Sequence, residues 1–209
     1  MKETFHYLKY KVYHLSNPKK GEIKELLEKL SDDLGKHGLG EKEGSEKAIV
    51  FAFSGHGCSK GQIEYIYTND GGTLELLDEI VFPLTRRESV QHVPKLFFMD
   101  ACRGGEILMK GTCPSVTDDH TNFQKGYQHV LGNYYIAYAT IPHHVAYANA
   151  SGSRWMPKIA KAIREEDDSF QNIAAKVMAE VNKEVSDTKQ QCESINRLNT
   201  GPLYLKRLS

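Results

Sequence analysis

The chain has 209 residues, with 27 Lys plus Arg against 27 Asp plus Glu and a formal net charge of zero. That balance argues against a dedicated nucleic-acid binder, which carries a basic surplus, and against an acidic disordered tail. Hydrophobic residues at 40% and charged residues at 26% are ordinary for a globular domain, and a chain this long folds without a disulfide or metal staple. No run approaches the ~18 consecutive apolar residues of a membrane span, and residues 1–10 lack the apolar core of a signal peptide. No membrane or nucleic-acid partner is expected, and the expected location is the cytoplasm, the alternative being an export signal already removed. Four cysteines (Cys58, Cys102, Cys113, Cys192) stand far apart with no C-x-x-C pair. Neither a zinc site nor a disulfide framework is expected, and reduced thiols are the default.

In chain order, residues 7–14 (YLKYKVYH) read as a strand. Asn17 and Pro18 offer a cap and a first-turn proline for a helix carrying Ile23, Leu26, Leu27, Leu30 and Leu34, with Gly35 as its stop. Residues 48–53 (AIVFAF) form a short apolar run, the pattern of a central parallel strand, ending in Ser54-Gly55-His56-Gly57. Residues 63–67 read as another strand, 69–72 (NDGG) as a turn, and Thr73 as the cap of a helix carrying Leu74, Leu77, Ile80 and Val81. Residues 95–99 (KLFFM) repeat the buried-strand signal and end in Asp100-Ala101-Cys102-Arg103-Gly104. Residues 105–132 show no periodicity, which in a compact domain marks a functional or disordered segment. Residues 134–140 (YYIAYAT) are a third buried strand, followed by a loop over 141–153.

Two amphipathic helices come next, one carrying Trp155, Met156, Ile159, Ala160 and Ile163. The other carries Phe170, Ile173, Ala174, Val177, Met178, Val181 and Val185, with Asp168 or Ser169 as its cap. Residues 202–207 (PLYLKR) read as a last strand. Strands alternating with helices imply a single α/β domain, a three-layer α-β-α sandwich with a mostly parallel sheet.

Two apolar strands thus end in small-residue turns bearing His56 and Cys102, 46 residues apart. Active sites of open α/β sheets collect at the carboxyl ends of the strands. A free thiol is mostly protonated at neutral pH, and an adjacent imidazole can take its proton and later protonate a leaving amine. Gly57 and Gly104 permit close backbone approach, and backbone N–H groups beside a nucleophile can hold a developing oxyanion. Either residue alone is ordinary: a histidine after a strand is commonly a packed or surface residue, and a buried cysteine an inert small hydrophobe. The pair, with both glycine-flanked turns, is much rarer.

Ser54-Gly55-His56-Gly57 and Asp100-Ala101-Cys102-Arg103-Gly104 resemble the catalytic signature of caspase-fold cysteine peptidases. The caspase pattern is Q-A-C-[RQG]-G with a histidine about 50 residues upstream. Asp100 replaces the glutamine. The resemblance spans roughly residues 7–207. It implies a caspase-like fold, a cysteine endopeptidase acting through a Cys102–His56 dyad, and oxyanion donors at the Gly57 and Cys102 N–H groups. No cofactor is expected, and a calcium site of the kind some metacaspases carry finds no place in the sequence. The acidic pairs 32–33, 78–79 and 167–168 read as helix ends and solvated faces. The resemblance divides the chain into a large-subunit-like part over 1–104, a linker-like part over 105–132 and a small-subunit-like part over 133–209.

In caspases the glutamine helps line a basic pocket that accepts aspartate. Here the loop arginine position aligns with Ala148, and the early arginine would lie upstream of residue 1. Asp100 instead suits a substrate arginine or lysine, as in paracaspases and metacaspases, and arginine can pair bidentately. Arg103 could neutralise Asp100 locally. Tyr147 aligns with the aromatic residue of the next subsite, and Ala146 and Ala148 could pair with a substrate backbone as an added strand.

Lys110 and Lys125 are candidate self-processing sites, with an uncut linker favoured. The final strand at a sheet edge suggests a homodimer. The resemblance also implies that the sheet lacks the family's first strand, since the chain starts after it. The alternatives are an aspartate-directed caspase and a catalytically silent scaffold that binds partners. The expected partner is a protein or peptide substrate.

Overall fold

A computed structural model describes residues 1–37, 48–60, 63–104, 132–142, 144, 146, 148–149, 152–184 and 190–205. Its central sheet has four strands: β1 (Ile49–Gly55), β5 (Lys95–Ala101), β6 (Tyr134–Tyr138) and β9 (Glu193–Arg197), in the order β1-β5-β6-β9. The first three are parallel and β9 is antiparallel to β6. A smaller antiparallel sheet joins β2 (Gly57–Lys60), β3 (Ile63–Tyr67) and β4 (Thr73–Glu75). A two-residue ladder pairs β7 (Ala148–Asn149) with β8 (Gly152–Ser153).

Strand alternation sorts the core into two halves. Leu96, Phe98, Tyr135 and Ala137 face one side and pack on α1 (Lys2–Tyr7), α4 (Met156–Glu165) and α5 (Phe170–Glu184). Phe97, Met99, Tyr134, Ile136 and Tyr138 face the other side. They meet α2 (Lys20–His37), a π-helical turn (Leu76–Val81) and α3 (Phe82–Thr85). The result is the expected three-layer sandwich around a mostly parallel sheet. Phe98 anchors the first half, with ring centroids 5.6 Å from Phe170 and 6.1 Å from Trp155.

Four expectations change. Residues 7–14 form no strand. Their alternation survives, with Tyr10 and Val12 packed against the core and Lys11 and Tyr13 turned to Asp33 of α2, but they join no strand ladder among the described residues. The helix ahead of them was not expected. Its Phe5 is buried and its Thr4 Oγ1 donates to the Ala160 carbonyl at 3.0 Å. Strand β1 lies at a sheet edge rather than in the centre, which leaves Ala52 and Ser54 exposed. The 202–205 segment is also not a strand. Leu203 and Leu205 are buried, but the Leu203 carbonyl accepts the Phe170 N–H at 2.6 Å and so serves the start of α5. The last strand is the mostly polar β9, whose apolar signal is a single Ile195. Residues 206–207 of the expected strand, the 105–131 segment with Lys110 and Lys125, and Val185 lie outside the described residues.

Capping also differs from expectation at two helices. Glu22 accepts the Lys19 N–H at 2.7 Å, so a carboxylate rather than Asn17 closes the start of α2. Thr73 belongs to β4, and Glu79 accepts the Glu75 N–H at 2.9 Å where the π-helical turn begins. Ser169 caps α5 as expected, its Oγ accepting the Asn172 N–H at 3.3 Å.

Lys95 is fully buried at the start of β5, its Nζ donating to the Val90 carbonyl. Burial lowers its amine from 10.5 to about 8. A depressed lysine is a cost below its folded pKa, and the cost is relieved as pH rises toward the unfolded value. Lys95→Met is therefore expected to be the more stable protein at neutral pH. Its advantage over the parent should shrink by about 3 kcal/mol between about pH 7 and about pH 11. Urea unfolding of the two proteins across that range checks this, and a pH-independent difference contradicts it.

Candidate functional site

Parallel pairing of β1 with β5 sets Ser54 opposite Asp100 and Gly55 opposite Ala101. Both strands stop there. The next residues, His56 and Cys102, leave the sheet at the same end, where α/β sheets expose their ligand-binding loops. The chain then turns into β2, and Gly57 packs against the cysteine turn. A Cβ on Gly57 would stand 2.9 Å from the Cys102 carbonyl oxygen, 2.9 Å from the Tyr65 carbonyl oxygen and 3.1 Å from the Ala101 Cβ. Only glycine fits that approach.

The small sheet fastens the two turns together. Tyr67 N–H donates to the His56 carbonyl at 3.0 Å, and Ser59 N–H donates to the Gly104 carbonyl at 3.3 Å. His56 is exposed and Cys102 half-buried. The Cys102 thiol makes a long contact, 3.9 Å, to the Ala146 carbonyl. His144 accepts the Arg103 N–H at 2.9 Å through its carbonyl, so both His144 and Ala146 lie against the cysteine turn. An exposed imidazole and a thiol on abutting turns can share a proton across a bound substrate.

Asp100 is 6% exposed. Its carboxylate accepts Ser54 Oγ–H at 3.0 Å and a second hydroxyl from Ser153. Burial pushes its carboxyl above the ordinary range, and the two hydroxyls only partly offset this. Among the described residues no lysine or arginine pairs with it. A buried carboxylate held by hydroxyls alone is costly and marks a place where a cation could be bound.

Arg103 does not neutralise Asp100. Its guanidinium donates to Glu64, to Glu193 and, at 2.9 Å, to the Thr140 carbonyl. It also stacks 3.9 Å from the Tyr138 ring centroid. With two carboxylates bound, the arginine's charge is matched by groups other than Asp100.

Sequence reasoning missed Ser54 and Ser153 as parts of this site. In the sequence Ser54 stands only as part of the histidine turn. Ser153 is visible in sequence as a serine three residues before Met156, the spacing of a cap. It does cap α4, its Oγ accepting the Trp155 and Met156 N–H groups at 3.2 Å each. Ala146 sits at the site through its carbonyl. Ala148 is placed in β7 by pairing with Ser153. Tyr147 lies outside the described residues.

The expectation of reduced thiols holds for Cys102 and Cys192 and fails at Cys58, which is disulfide-bonded to a partner outside the described residues. Cys192 is an inert thiol, pushed up to about 12 by burial and by the nearby Asp100. Among the described residues no group of three or more His, Cys, Asp or Glu could hold a metal, and no helix is long and apolar enough to cross a membrane.

Two parallel strands therefore deliver a histidine and a cysteine to one sheet end, beside a buried carboxylate. The family model described as "Caspase domain" matches residues 1–204, nearly the whole chain. The chain belongs to the caspase-domain family of cysteine peptidases.

Proposed function

We propose that the protein is a cysteine endopeptidase that cuts after arginine or lysine, with Cys102 as nucleophile and His56 as its base. The Cys102 thiol loses its proton to the imidazole, and the thiolate attacks the carbonyl carbon. The N–H groups of Gly57 and Cys102 hold the oxyanion. The imidazolium then protonates the leaving amine, and water hydrolyses the thioester with His56 again as base. In this reading Ala146 and Ala148 pair with the substrate backbone as an added strand, and Tyr147, outside the described residues, is the candidate for the next subsite.

The buried Asp100 carries the specificity half of this reading. A cationic side chain arriving beside Ser54 and Ser153 would give the carboxylate its missing partner. An aspartate there would set two carboxylates together in a desolvated pocket, so an aspartate-directed enzyme is disfavoured. In the same reading the chain divides into a large-subunit-like part (1–104), a linker (105–132) that stays uncut, and a small-subunit-like part (133–209). The last part forms a homodimer through β9, which ends the sheet order.

Fluorogenic peptides ending in arginine, lysine or aspartate test the proposal. Turnover is expected after arginine and lysine only, and it should vanish in Cys102→Ala. Turnover of the aspartate peptide alone overturns the specificity. Absence of both turnover and thiol labelling at Cys102 favours the silent scaffold.

Asp100→Asn separates function from stability. It should lower kcat/KM for arginine peptides roughly 10²–10³-fold, the scale of breaking a buried ion pair. The same variant should be the more stable protein at neutral pH. A carboxyl raised in the folded state stabilises only below its unfolded pKa and loses that stabilisation as pH rises through the folded value. By the same titration, kcat/KM on arginine peptides should rise with pH through a step above the ordinary aspartate range. Thermal melts and pH–rate profiles of both proteins check this; a step that persists in Asp100→Asn assigns it elsewhere.

Gly57→Ala should cost about 1–3 kcal/mol, because its Cβ meets backbone on two sides. Urea unfolding measures that cost. An unperturbed midpoint would contradict the packing of the two turns.

A further inference from the structure

We infer that Arg103 is a positioning residue for Cys102, clamped by Glu64 from the small sheet and Glu193 from the edge strand of the large one. The inference rests on the peptidase reading above. Arg103 is one peptide bond from the cysteine and is 7% exposed. Its partners come from four places: Glu64 on β3, Glu193 on β9, the Thr140 carbonyl beyond β6 and the Tyr138 ring on β6. Tyr138 also hydrogen-bonds Glu64, which closes the cluster. The Arg103 main chain is held separately, its N–H donating to the His144 carbonyl at 2.9 Å.

A guanidinium taken out of water needs its charge matched and its fork filled. Here the two terminal nitrogens take one carboxylate each, with the Thr140 carbonyl as a further acceptor, while the buried Nε has no partner among the described residues. The guanidinium therefore has little freedom to shift, and neither does the backbone of the residue before it. That backbone sets the direction of the Cys102 thiol and of the Cys102 N–H. Strand β9, at the sheet edge, thereby reaches the cysteine turn without contacting substrate. Removing one carboxylate should leave the pocket at Asp100 intact and disturb the attack geometry alone.

Glu193→Gln is the primary test, because its side chain is 34% exposed and the change is isosteric. Arg103→Lys, which keeps the charge and loses the fork, is the second. Both are assayed with an arginine peptide, with active-site titration so that rates refer to folded sites. A parallel assay measures the rate of Cys102 alkylation by iodoacetamide. For each variant kcat per titrated site should fall roughly 10–100-fold, the scale of a small misplacement of reacting groups, with KM nearly unchanged. The alkylation rate of Cys102 should change with kcat. In the double variant Glu193→Gln/Arg103→Lys the losses should be less than additive, since both act through one clamp.

Unchanged kcat per titrated site, with only a lowered Tm, overturns the inference and leaves Arg103 a stabilising residue. Fully additive losses overturn the shared clamp. Failure of the parent to turn over any peptide sinks the peptidase reading instead. The clamp is then judged by alkylation alone: an altered Cys102 rate in both variants supports it, and an unaltered rate overturns it.

Discussion

The parallel register between β1 and β5 is the constraint from which the site follows. Pairing Ser54 with Asp100 and Gly55 with Ala101 places the two strand ends level. The chain can then leave the sheet twice at the same point, once with a histidine and once with a cysteine. A slip of one residue would reverse which faces the side chains take. Leu96 and Phe98 would then leave the α4–α5 side, and Asp100 would leave its serine partners. The apolar cores on both faces thus specify the register, and the register specifies the site. Gly57 adds a local lock, since the histidine turn can rest on the cysteine turn only where no side chain intervenes.

Charge near the cysteine is distributed unevenly. The whole chain balances at 27 cations against 27 carboxylates, so no long-range field steers a substrate. Among the described residues, Arg103 at the cysteine turn is paired with two carboxylates, Glu64 and Glu193, while Asp100 has no cationic partner. Burial raises the carboxyls of both Asp100 and Glu64. Arg103 is matched by two carboxylates, and among the described residues Asp100 is held by hydroxyls alone.

The sequence showed most clearly what depends on short-range pattern. The apolar runs ending in His56 and Cys102 stand out because buried parallel strands are apolar on both faces. The amphipathic helices around Ile159 and Val177 stand out by their period. Strand β9 was hidden because Glu193, Asn196 and Arg197 are polar and only its pairing with β6 makes it a strand. Residues 7–14 and 202–205 misled for the opposite reason. Each alternates correctly and buries its apolar half, yet its backbone finds partners other than a ladder. The roles of Ser153 and Glu64 could not be seen, since each reaches the site from a distant element.

The pocket side of the site is held from below by the aromatic core. Phe98 and Asp100 lie two residues apart on β5, so they point to the same face. Trp155 and Ser153 lie two residues apart where the chain enters α4. Phe98 meets Trp155 at 6.1 Å between centroids, and Asp100 meets Ser153 by a hydrogen bond. The same two chain segments are therefore joined twice, once by an apolar contact in the core and once by a polar contact at its rim. Phe98 also packs on Phe170, which ties α5 into the same point. Ser153 in turn spends its oxygen on the first N–H groups of α4. Its hydroxyl proton remains for Asp100, which leaves the carboxylate oriented without neutralising it. Burial of Trp155 and Phe98 thus fixes where the carboxylate stands.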